Sequence, residues 1–164
     1  MNRKGRIEAS AGKDDQFIAR VTEGYAGAVN ALLEIRTGKD LGDEAKIRAA
    51  IKSLYDTIVV SPTGRLSPLV AEVSRTMPAV ALSFHSDDIA HQCAALEDLV
   101  SDGVVLGSFK AQDFGVVPHL VIGPNVTLSL SREMFAKFDD LEDHFSVHKL
   151  CDGQIEAIMA LLRD

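Results

Sequence analysis

The residues best placed to do chemistry lie near the C-terminus. His144 and His148 are four positions apart, so on one helix both imidazoles share a face, a spacing that chelates a transition metal. Asp140 stands one turn earlier and Cys151 three residues later, which on paper extends the pair to a column of carboxylate, two imidazoles and thiol. A divalent transition metal is the cofactor such a column would take. Two features oppose it. The stretch from Lys149 to Gly153 reads as a helix break that turns Cys151 off the face. Asp139, Asp140, Glu142 and Asp143 also form an acidic surface on which histidines pair with carboxylates without any metal. The surface-pair reading is preferred, with His144 and His148 kept as candidate metal ligands and Asp140 or Cys151 as completing groups.

A second group is His85, Asp87, Asp88, His91 and Cys93. Residues two apart on a helix point to nearly opposite sides, so His91 and Cys93 do not share a metal there. Cys93 falls in an apolar stripe and His91 on the polar side, where Asp87 and His91 make a surface pair. His91 also stands as a phosphoacceptor histidine would, but alanines replace the lysine and glycine expected after it. His119 follows Pro118 in an apolar run and reads as a structural histidine. No G-x-S-x-G or G-x-G-x-x-G is present, and Thr37-Gly38-Lys39-Asp40 lacks the earlier glycine and the hydroxyl of a phosphate-binding loop. The segment Ser61 to Pro68, with Arg65 between two Ser-Pro steps, reads as a surface connection. No catalytic residue is assigned, and no organic cofactor is expected.

Composition narrows the partners. The formal charge is −7, a surface that repels phosphate backbones, and aromatics are 5% with no Trp to stack on bases. Nucleic acid is therefore not expected. No apolar run is long enough to cross a bilayer, and Arg3, Lys4 and Arg6 are followed by Ile7 rather than the apolar stretch of a secretory signal. Cys93 and Cys151 are expected as reduced thiols in a cytoplasmic protein.

The elements that must position these residues follow from periodicity. Residues 1–14 read as a flexible tail and 15–164 as one globular domain. Asp15 to Arg36 is expected as a helix, with Phe17, Val21, Ala28, Leu32 and Ile35 on one face. Tyr25, Val29 and Leu33 widen that face, and Gly24 and Gly27 suggest a closely approaching neighbour. Asp43 caps a second helix whose stripe is Ile47, Ile51, Leu54 and Ile58. Ser67-Pro68 opens another, Ala79 to Phe84 is helix or strand, and Ser86-Asp87-Asp88 begins a helix that ends at Asp102-Gly103.

The pattern then changes. Val104 to Leu106, Val116 to Ile122 and Val126 to Leu130 read as strands, with Gly123-Pro124-Asn125 as a hairpin turn. Ser131 and Asp152 are expected to cap two closing helices, the last with Ile155, Ile158, Met159 and Leu162 inward. The fold class expected is thus α+β: a mainly helical domain with a small antiparallel β-meander near residues 103–131.

Three functions remain. The leading one is a non-catalytic intracellular interaction or regulatory protein, self-associating through a helical face, because its apolar stripes exceed what one small sheet covers. The second is a metal-dependent enzyme or metal sensor using His144 and His148. The third is a small-molecule-binding domain with a pocket between sheet and helices, lined by Phe109 and Phe114.

Overall fold

A computed structural model describes Gln16, Ala19, Glu23, residues 25–110 and residues 115–163, without the side chains of Thr63, Arg65 and Ser67. The expected flexible tail, Phe17, Val21, Gly24 and Phe114 lie outside these residues. Of the described residues 82% are helical, and none forms a strand. The fold is all-helical, not α+β, and the described residues of 103–131 hold no β-meander.

The helices are α1 (25–37), α2 (Asp43–Leu54), α3 (Ser67–Ser74), α4 (Pro78–Phe84), α5 (Ala90–Val105), α6 (Val117–Met134), α7 (Leu141–His144) and α8 (Val147–Arg163). Two π-helical turns continue them: Tyr55–Val60 extends α2, and His85–Ile89 joins α4 to α5. The helix expected to begin at Ser86 therefore begins at Pro78.

Packing centres on α2, which touches α5, α6 and α8. Its stripe Ile47, Ile51, Leu54 and Ile58 is buried as expected, and so are Ile155, Ile158, Met159 and Leu162 of α8. From α1, Tyr25, Ala28 and Leu32 enter the same core while Leu33 stays exposed. A Cβ at Gly27 would meet nothing within 4 Å, so among the described residues no neighbour approaches closely there. Arg36 ties α1 to α5 through Asp98 and Asp102, and Arg163 grips Glu44 of α2 with two nitrogens. These ion pairs are partly or largely solvent-exposed, so they set register more than stability.

The meander expectation fails at two places. Val104 and Val105 complete α5, which closes in a Schellman motif. Ser108 N–H donates to the Gly103 carbonyl (2.8 Å), Gly107 N–H donates to the Val104 carbonyl (3.0 Å), and Gly107 holds φ at 77°. Phe109 then folds back over Gly103 and is buried, which only a residue without Cβ permits.

The other place is α6, where two expected strands and their turn are one helix. Val117, Pro118, Val121, Ile122, Asn125, Leu128 and Ser129 are buried along it, which is helical spacing. Pro118 sits harmlessly in the first turn, whereas Pro124 is interior and cannot donate to the Leu120 carbonyl. Gln154 of α8 supplies the missing donor, its Nε2 lying 2.9 Å from Leu120 O and 2.8 Å from Val121 O. Asn125 Nδ2 donates to Val121 O as well (2.7 Å). The breaker residues at 123–125 are accommodated because a neighbouring helix repairs the hydrogen bonding. Ser131 lies inside α6 and Asp152 inside α8, so neither is a cap.

Candidate functional site

Between α6 and α8 runs an apolar groove of about 580 Å³. Leu120, Pro124 and Leu128 form the α6 wall, and Leu150, Ala157 and Leu161 face them from α8. Tyr55 and Ile158 close the floor, both buried in the core. Leu120 is 43% exposed, Leu150 43% and Leu161 37%, so the walls present leucine to solvent. The polar groups at the rim are few: Lys149 and Gln154. Burial pushes the Tyr55 phenol up to about 12, with the nearby Cys151 thiol adding to the effect, so this floor stays neutral at physiological pH.

The α6–α8 geometry makes this groove. Pro124 opens the backbone of α6 on the side that faces α8, and Gln154 crosses to it, holding the helices in register. The groove continues toward α7 through a hollow that shares Pro124, Leu128 and Leu150 and adds His144 and Phe145. Beyond it Phe135, Phe138 and Phe145 cluster, with Phe135 and Phe145 stacked at 5.4 Å. Phe138 is half exposed, so the apolar strip runs from α8 past α7.

The structure separates the proposed metal column. His144 ends α7 and His148 lies in the first turn of α8, with Phe145 and Ser146 breaking the helix between them. His144 Nε2 lies 3.1 Å from an Asp140 oxygen, and His148 Nδ1 lies 3.1 Å from an Asp152 oxygen. Each imidazole thus has its own carboxylate partner. The break falls at 145–146, not at 149–153, and Cys151 is inside α8 and buried against the core. Burial, with Asp152 next in effect, raises the Cys151 thiol above its usual range, which opposes thiolate ligation. His148 and Cys151 do line one hollow with Lys52, Asp56 and Glu142. Among the described residues, no group of three or more His, Cys, Asp or Glu side chains is arranged to hold a metal ion.

The other candidates disperse as well. His85, Asp87 and His91 are exposed, Asp88 is buried and Cys93 is half-buried toward the core. His91 Nδ1 lies 3.0 Å from the Asp87 backbone carbonyl, and the Asp87 carboxylate instead accepts from the Ser83 hydroxyl (2.5 Å). His119 is exposed on α6. Phe109 is part of the core, away from the groove.

Sequence reasoning missed the groove residues. Leu120 and Leu128 fall in segments that read as strands, and the stripe Ile155, Ile158, Met159 and Leu162 marks only the core face of α8. A second stripe was legible there: Leu150, Gly153 or Gln154, Ala157 and Leu161 recur at three, four, seven and eleven residues. No helix of the described residues is long and apolar enough to cross a membrane. No protein-family model, curated protein or solved structure matches the chain.

Proposed function

We propose that the chain is a non-catalytic interaction or regulatory protein that self-associates by packing the α6–α8 face of one copy against that of another. The observation that carries the proposal is the apolar groove walled by half-exposed leucines. A two-fold contact suits it, since both copies then offer the same leucines to each other. Burying a leucine fully is worth roughly 1.5–3 kcal/mol, so completing the burial of Leu120, Leu150 and Leu161 gives roughly 1 kcal/mol each. Three per copy make roughly 6 kcal/mol, comparable with the entropic cost of association. The expected complex is therefore weak and concentration-dependent. With −7 on each copy, added salt strengthens it by screening the repulsion. The proposal places the chain in the cytoplasm, in keeping with Cys93 and Cys151 being unpaired thiols.

Light scattering after gel filtration, from micromolar to millimolar protein and at two salt concentrations, tests this. The wild type is expected to shift toward dimer with both variables, and Leu150→Asp to remain monomeric. A strictly monomeric wild type at millimolar concentration refutes self-association.

The groove volume supports a second reading, because it falls in the range of roughly 300–1,000 Å³ typical of small-molecule sites. An apolar ligand there raises the melting temperature of the wild type and not of Leu150→Asp. A screen of apolar compounds without such a hit counts against it.

A further inference from the structure

The π-helical turn His85–Ile89 sends consecutive aspartates to opposite environments. Asp87 faces solvent and is held by Ser83. Asp88 is 1% exposed, and neither carboxyl oxygen has a hydrogen-bond partner. Gln92, about one turn on, is 0% exposed, and its amide oxygen and nitrogen are equally without partners. Buried polar atoms are almost always satisfied, so two adjacent bare side chains call for an explanation.

A buried carboxylate without a partner is among the costliest arrangements a protein interior can hold. It is relieved by protonation or by movement to water. Among the described residues, no lysine or arginine stands against it. Burial is the main influence on Asp88; the Asp87 charge also disfavours its ionisation, and only His91 opposes them. Helix α4 carries no ionisable side chain. Helix α5 adds Cys93, whose thiol is itself raised by burial and by Glu97. On α1, Tyr25 packs edge-on against Phe84, the residue just before the turn, at 5.0 Å. Burial, reinforced by the Asp87 charge, pushes the Asp88 carboxyl up to about 6.

The turn also supplies a way out. A π turn holds one residue more than the α-helix around it, and π turns are frequent at functional sites. Resolving it into α-helix turns α4 and α5 by about 100° relative to each other, so Asp88 leaves the interior face as the two helices lose register.

We propose that the turn His85–Ile89 is a protonation-controlled hinge, closed while Asp88 is neutral and opened when its carboxylate ionises and moves to water, uncoupling α4 from α5. The proposal does not depend on what fills the groove. The sign follows from linkage: a carboxyl raised in the closed state contributes stability that is fully present below the ordinary aspartate range and lost as pH rises to about 6. With an open-state value of 3.8, the opening constant rises about tenfold between pH 5 and pH 7 and changes little above that.

The test is amide hydrogen exchange across residues 85–96 by NMR, from pH 5 to pH 7.5, corrected for intrinsic exchange, in the wild type and Asp88→Asn. The wild type is expected to show the tenfold increase in opening there and not in α2, while Asp88→Asn shows none. Equal pH dependence in the two proteins overturns the hinge. Should the variant not fold, titration of the Asp88 carboxyl carbon in the wild type decides: a midpoint near 6 supports the hinge, and one near 4 overturns it.

Discussion

Gln154→Ala probes the repair that lets α6 exist as one helix. The substitution removes the donor to the Leu120 carbonyl, whose helical partner is missing because residue 124 is proline. The Val121 carbonyl is spared, since Asn125 Nδ2 still donates to it. A carbonyl stripped of its partner costs about 1–3 kcal/mol when sealed from water. Leu120 is 43% exposed, so water reaches the site and holds the cost near the lower end. Loss of Gln154 Oε1, itself buried without a partner, gives a little back. The expected destabilisation is therefore about 1 kcal/mol, or roughly 2–4 °C in Tm for a chain of this size.

The decisive measurement is a double-mutant cycle with Pro124→Ala, using urea unfolding followed by far-UV circular dichroism. Alanine at 124 restores the N–H that the Leu120 carbonyl lacks, so in that background Gln154→Ala is expected to cost less than about 0.5 kcal/mol. Pro124→Ala alone is expected to stabilise, because an interior proline costs about 3 kcal/mol and only part of that is offset by the stiffer unfolded chain. An equal cost of Gln154→Ala in both backgrounds refutes the repair argument, and Gln154 then matters only through packing.

Two further substitutions test the C-terminal half. A Cβ at Gly103 would lie 2.2 Å from the Phe109 ring, so Gly103→Ala displaces that ring. Overpacking of about 3 kcal/mol against a helix-propensity gain of about 1 leaves a net loss of about 2 kcal/mol in urea unfolding. Unchanged stability shows that Phe109 is not locked over Gly103. Metal content by mass spectrometry checks the histidines. With His144 and His148 on separate carboxylates, substoichiometric metal is expected, unchanged by His144→Ala. A full equivalent lost in that variant restores the metal reading.

Amphipathic helices with an unbroken 3.6-residue stripe were determined by sequence. Ile47, Ile51, Leu54 and Ile58, and Ile155, Ile158, Met159 and Leu162, are each buried as a set because their spacing leaves one face to bury. The half-buried Cys93 and the exposed His91 of α5 likewise follow from the helical repeat alone. Residues 116–130 were decided by tertiary structure. Their β-branched residues, the Gly-Pro-Asn step and the alternation of Val126, Leu128 and Leu130 all favour strands locally. The helix prevails because α2, α5 and α8 cover its buried face and Gln154 meets the carbonyl that Pro124 abandons. Propensity differences of tenths of a kcal/mol per residue yield to contacts of that kind. The same holds for the groove and for Asp88. Which leucines stay uncovered, and which of two adjacent aspartates turns inward, depends on the helices that pack beside them, and those partners are distant in sequence.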